Sequence, residues 1–240
     1  MTEAEWLTCG EIRDPSRLGM RGELKVLPFA MGREIEKMVQ FAGARSYRKL
    51  RLFAVAACRM VWNSLTDERS RVALNHLEEY ADDFSKEKLR RDAYNTSNDA
   101  ARAARVGRPQ FATAALAAFA VFRASDPAWY PNLYGDLVYT LGEDYGMERV
   151  AAVRLLCNQM REIFGNPFRE PNFDPAWRTD TVLSLARHMY EAREFSAMPI
   201  LADALQDAGC DNDDILSHCR DAQQTHVRGC WVVDLVLGKE

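Results

Sequence analysis

The stretch "YRKLRLFAVAACRMVWNSL", Tyr47 to Leu65, decides the fold class. Leu50, Phe53, Ala54, Ala57, Cys58, Val61, Trp62 and Leu65 recur at steps of three and four. That spacing sets them on one stripe of a helix with a period of about 3.6 residues. Arg48, Lys49, Arg51 and Arg59 fall largely off the stripe.

The same pattern continues downstream. Thr66 or Asp67 is placed to cap a second helix carrying Ala73, Leu77, Tyr80, Ala81 and Phe84 on one face. Ser85 is placed to cap a third, Lys86 to about Val106, which Gly107-Arg108-Pro109 breaks. "FATAALAAFAVFRAS" reads as a buried helix and "SDPAWYPNLYGD" (125–136) as a turn region. Helices are expected over Leu133–Leu141 and Met147–Phe164, the latter stopped by Gly165-Asn166-Pro167. Shorter ones follow at 180–194, 197–208, 213–220 and 228–237, with caps at Thr179 or Asp180, Ser196 and Asn212. "CWVVDLVLG" carries a faint strand signal. "DPAW" occurs twice, at Asp126–Trp129 and Asp174–Trp177, each an Asp-capped turn anchored by Trp. Upstream, glycines and Pro28 interrupt residues 1–45, leaving an irregular segment with a short helix near Arg33–Phe41. The chain therefore reads as all-α: one helical domain over 46–240 with eight to ten helices, a variable middle at 86–160, and a C-terminal closure at 166–240.

Composition narrows the class further. Of 240 residues 48% are hydrophobic and 28% charged, with net charge −4, so a sizeable core is affordable and no special partner is implied. No apolar run is long enough to span a membrane. The start, "MTEAEWLTCGEIRD", lacks a signal-peptide core, so a cytoplasmic location and reduced cysteines are expected. Residues 45–109 hold fourteen Lys/Arg against nine Asp/Glu; residues 170–240 hold six against thirteen. A basic face for nucleic acid is one reading of that asymmetry, and solvated helix faces are the other. No nucleic-acid-binding motif accompanies it, so nucleic acid is not the expected partner.

The chemistry concentrates in "CDNDDILSHCRDAQQTHVRGCW", Cys210 to Trp231. It holds half of the chain's six cysteines and half of its four histidines. An EF-hand is excluded, because the fifth and sixth positions counted from Asp211 are Ile215 and Leu216. Thiol catalysis lacks any local signature around Cys219 or Cys230. The P-loop, the dinucleotide-binding glycine motif, the Ser-nucleophile elbow and the HExxH metalloprotease motif are all absent. His76 and His188 stand isolated. Trp6, Trp62, Trp129, Trp177 and Trp231 read as core anchors. A zinc site would draw on Cys210, Cys219, His226 and Cys230, although there is no C-x2-C pair. Adjacent His218 and Cys219 point about 100° apart on a helix, which keeps them from sharing one ion. The competing reading is a helix–loop–helix closure. Gly209 ends one helix, Asn212 caps the next, Asp221–Thr225 form the loop, and Arg228–Leu237 return. Trp231, Val232 and Leu235 then face Ile215, Leu216 and Cys219, and Cys219 and Cys230 act as small hydrophobes. His218, His226, Arg228 and Asp234 would make a polar, partner-facing patch.

The blocks "KLRLFAVAACRMVW", "LTDERSR", "IFGNPFR", "DPAW" and "MPILADALQDAGCDNDDILSHCR…HVRGCWVVDLVLGK" resemble an uncharacterised bacterial family of paralogous hypothetical proteins. The resemblance covers about 46–85 and 160–240. It implies a helical domain that closes with the Cys210–Trp231 stretch, and it brings no activity, substrate or partner. The chain departs from the family pattern in the aromatic "PAWYPNLYGDLVYTLGEDYG" and in a longer Gly10–Ile35 segment. The expectation is thus a non-enzymatic protein-interaction or adaptor module with a protein partner and no cofactor. The alternatives are a zinc-binding protein or metal-assisted enzyme centred on Cys210–Cys230 and, after it, nucleic-acid binding through the basic first half.

Overall fold

The structure is a computed structural model that describes residues 1–11, 35–42, 45–105, 137–142 and 146–239. The expected helix over 111–125, the turn region over 125–136 with the first DPAW copy and Trp129, and most of the Gly10–Ile35 segment lie outside the described residues. Among the described residues all regular structure is helical, with no strand. "CWVVDLVLG" is helical as well, over Trp231–Leu237. No described helix is long and apolar enough to cross a membrane. The chain falls into two compact units, Met1–Gln159 and Met160–Glu240.

The first unit begins earlier than its glycines suggest. Helix α1, Glu3–Thr8, opens on a capping box: the Thr2 hydroxyl accepts from the Glu5 N–H, and Glu5 reaches back to the Thr2 N–H. Trp6 on α1 is fully buried, its ring tilted against Phe41 of helix α2, 35–42. The segment expected as irregular over 1–45 thus carries α1 in addition to the short helix expected near Arg33–Phe41, because a local cap and one aromatic anchor outweigh the neighbouring glycines.

The decisive stripe is helix α3, Tyr47–Arg59, capped by Ser46 and followed by a 3-10 turn at Trp62–Ser64. The expected face is buried from Leu50 to Leu65 except Trp62, which is half-buried. Leu52, Val55 and Ala56 are buried too, so α3 is enclosed nearly all round. The basic residues off the stripe are accordingly not all solvated. Arg48 pairs with Asp82 at 2.9 Å, and Arg59 pairs with Glu78 at 3.0 Å. Arg51, 2% exposed, lays its guanidinium over the Tyr47 and Tyr80 rings, where an aromatic face offsets part of the cost of burying a cation. These partners sit largely on helix α4, Glu68–Asp82, whose N-cap is Asp67. Ser85 does not cap helix α5, Glu87–Arg105. Its hydroxyl and N–H both donate to Asp83 in the connecting turn. Phe84, expected on the buried face, is exposed. Helix α6, 137–142, and helix α7, Arg149–Phe164, complete the described part of the unit; the last turn of α7 belongs to the second unit.

In the second unit Gly165, at φ +65°, ends α7. A Cβ on it would lie 3.1 Å from the Trp231 ring, so a side chain here would press on the indole as well as strain the backbone. Asp174 accepts from the Ala176 N–H at 2.8 Å and starts a 3-10 turn, Pro175–Trp177, with Trp177 buried. Helix α8, Asp180–Ala192, is capped by Thr179. Helix α9, Met198–Asp207, has no side-chain cap: Ser196 gives its N–H to Glu194 instead, and Pro199 fills the first turn. Helix α10, Asp213–Arg220, is capped by Asn212, which accepts from Asp214 and Ile215. Helix α11 is Trp231–Leu237. Helix α8 packs on α9 and α11, and α10 packs on α9 and α11. They enclose Val182, Met189, Leu201, Leu205, Ile215, Cys219 and Val232 among others. Arg178 ties off the end of α11 by donating to the carbonyls of Leu235 and Val236, both at 2.9 Å.

Phe53 is fully enclosed on α3. Replacing it with alanine is expected to destabilise the first unit by about 3–5 kcal/mol, read as a lowered urea midpoint. A loss below about 1 kcal/mol would contradict the burial described.

Candidate metal centre

The closure begins where α9 ends. Gly209, at φ +93°, turns the chain so that the Cys210 N–H bonds back to the Leu205 carbonyl. Asn212 then starts α10, with Asp213 and Asp214 in its first turn beside the helix dipole. Asp221 stops α10 and accepts from the Gln223 N–H, folding the polar run into a tight turn. Gly229, at φ +95°, redirects the chain, and Cys230 takes the N-cap position of α11. The last helix therefore starts at Trp231, three residues later than Arg228. Its buried side is Val232, Val233 and Val236, while Trp231 and Leu235 are half-buried. The face is thus rotated from the expected one, which put Trp231 and Leu235 inward with Val232.

That path gathers four side chains. Glu162 of α7, His218 of α10, His226 of the loop and Cys230 at the start of α11 each offer one ligand atom, all within 4.8 Å of one another. His218 Nε2 is 3.2 Å from Glu162 Oε2 and 3.3 Å from Cys230 Sγ. His226 Nδ1 is 3.2 Å from Glu162 Oε1. The two imidazoles meet edge to face, with centroids 5.0 Å apart, and the His218 ring also leans on Trp231. Glu162 and Cys230 are fully buried, and the His226 side chain is 7% exposed.

The carboxylate is held from outside the cluster as well. Gln224 Nε2 donates to Glu162 Oε2 at 3.0 Å, and the Val227 N–H donates to Oε1 at 3.4 Å. Burial alone would push the Glu162 carboxyl up; the hydrogen bonds and charge of His218 and His226 outweigh it and hold the carboxyl below its usual range. Cys230 shows the opposite balance. Burial, and then the Glu162 charge, push its thiol well above the usual value. Cys219 is pushed up to about 12, by burial first and then by Glu162.

The sequence-derived residues thus divide. Of Cys210, Cys219, His226 and Cys230, only the last two enter the cluster. Cys210 and Cys219 pack in the apolar core. His218 joins it, since of the adjacent pair the histidine points to Glu162 and the cysteine points away. The set His218, His226, Arg228 and Asp234 does not form a common outward patch. Both histidines turn inward, Arg228 lies over the Tyr190 ring at 4.5 Å, and Asp234 is fully buried. Sequence reading did not include Glu162, which lies 56 positions before His218 and off the apolar stripe of α7. A single acid near a helix end carries no local signal. The available clue was the Cys/His-rich tail itself, which lacked the C-x2-C pair of a self-contained zinc site.

Scanned against family models, curated proteins and solved structures, the chain matches none.

In metal-free protein, ionised Glu162 favours the folded state above the unfolded carboxyl's range, about pH 4–5. That contribution fades as pH falls through the depressed folded value. Glu162→Gln is expected to cost about 1–3 kcal/mol at neutral pH. The difference from the parent should shrink below about pH 4 in urea titrations; a gap that is constant with pH would contradict the ionised pairing.

Proposed function

We propose that the second unit is a zinc-binding helical module, with the metal held by Glu162, His218, His226 and Cys230 in a closed, structural site. The observation that carries the reading is the convergence of four ligand atoms, from separate segments, within 4.8 Å. Bond lengths of about 2.0–2.3 Å put the edges of a zinc tetrahedron at about 3.3–3.8 Å. The His218–Glu162 Oε2 contact of 3.2 Å and the His218–Cys230 contact of 3.3 Å already approach those edges, and His226 Nδ1 lies 3.2 Å from the other carboxylate oxygen. The mixture of one sulfur, two imidazole nitrogens and one carboxylate oxygen suits zinc and does not suit calcium or magnesium, which take oxygen.

Electrostatics supports the same reading. A buried carboxylate raises the energy of a thiolate beside it, and a divalent cation between them relieves both penalties. Gln224 and the Val227 N–H orient the carboxylate from the second layer, as outer groups do around bound metals. Four protein ligands fill a tetrahedron, so the role inferred for the ion is to fasten α7, α10, the loop and α11 together. Such a role fits a non-enzymatic interaction module, in which recognition belongs to the surface that the fastened helices carry.

Purified chain is expected to retain one zinc per molecule by elemental analysis. Zinc affinity, measured by chelator competition, should fall by about 10–100-fold in Gln224→Ala. It should fall further in His226→Ala and stay unchanged in Cys210→Ser. Because the ligands must shed protons, affinity should weaken as pH drops. Chain that binds no zinc, or an affinity that His226→Ala leaves intact, would sink the proposal.

A further inference from the structure

We propose that Cys9 and Cys157 form a disulfide when the protein meets a hydroperoxide, joining the N-terminal helix covalently to α7. This inference concerns the first unit alone and does not rest on the metal reading. The two Sγ atoms lie 3.0 Å apart, both buried, although the residues are 148 positions apart in sequence. A disulfide bond is about 2.05 Å long, so the sulfurs need to move by only about 1 Å.

The backbone is built to bring them this close. Cys9 follows α1 directly, and Gly10 then adopts φ +87° against the middle of α7. A Cβ on Gly10 would lie 2.8 Å from the Arg154 Cα and 3.3 Å from the Cys157 Cβ. Only glycine allows the approach that sets sulfur on sulfur. The Arg154 Nε donates to the Gly10 carbonyl at 3.4 Å and holds the segment there.

The chemistry balances with one peroxide. With hydrogen peroxide, one thiol, as its thiolate, attacks one peroxide oxygen and breaks the O–O bond, becoming a sulfenic acid while the other oxygen leaves as water. The second sulfur then attacks the sulfenic sulfur, forming the S–S bond and releasing a second water. Two thiols are oxidised and one peroxide is reduced to two waters. Access comes from opening of α1, six residues long and too short to be stable by itself.

The test uses the full chain, reduced, desalted and exposed to hydrogen peroxide as the probe. Remaining thiols are then alkylated and the protein is digested without reduction for mass spectrometry. The expected product is a peptide linking Cys9 to Cys157, two hydrogens lighter than its reduced halves and restored by reductant. Gly10→Ala keeps both thiols, and its linked product is expected to fall several-fold. The inference is overturned if Cys9 and Cys157 of the parent chain are recovered alkylated or as sulfinic acids. Linkage of either to another cysteine, or an undiminished yield in Gly10→Ala, overturns it too.

Discussion

A carboxylate taken out of water must be met by donors or cations, and Glu162 is met from every side. Two imidazoles, the Gln224 amide and the Val227 N–H all aim at its two oxygens. This requirement links segments that share no sequence pattern: the end of α7, the face of α10, the polar loop and the start of α11. The loop over Asp221–Thr225 is largely exposed, and from it Gln224 reaches in to that carboxylate. Gly165 and Gly229 are the backbone concessions. One lets Trp231 lie against the end of α7, and the other turns the chain so that Cys230 faces inward.

The cysteines illustrate how environment divides one residue type among several roles. Cys219 sits among apolar side chains, and with its thiol pushed up to about 12 it behaves as a small hydrophobe. Cys230 is equally buried, yet it touches an imidazole; burial first, and then the nearby carboxylate, push its thiol well above the usual value. Cys9 and Cys157 are buried sulfur against sulfur, 3.0 Å apart. Burial is common to all of them, so the neighbour decides the chemistry.

The all-α class was legible because it rests on local periodicity. The Leu50–Leu65 stripe, the Asn212 cap and the Gly209 turn each depend on a few adjacent residues. What escaped was set by distance. Arg48 and Arg51 look like solvent residues until Asp82, Tyr47 and Tyr80 enclose them. His226 and Cys230 reach the cluster from a loop and from a helix-cap position. Of the adjacent pair His218 and Cys219, the histidine joins the cluster and the cysteine packs in the apolar core. Glu162 could not be assigned from its surroundings in the chain, since its partners lie at least 56 residues downstream.

The central claim is that Glu162, His218, His226 and Cys230 surround one metal ion. X-ray absorption at the zinc edge on metal-loaded full-length protein addresses it most directly. The account predicts one sulfur at about 2.3 Å and three nitrogen or oxygen neighbours at about 2.0–2.2 Å. A shell without sulfur, or one containing two or more sulfurs, would contradict it.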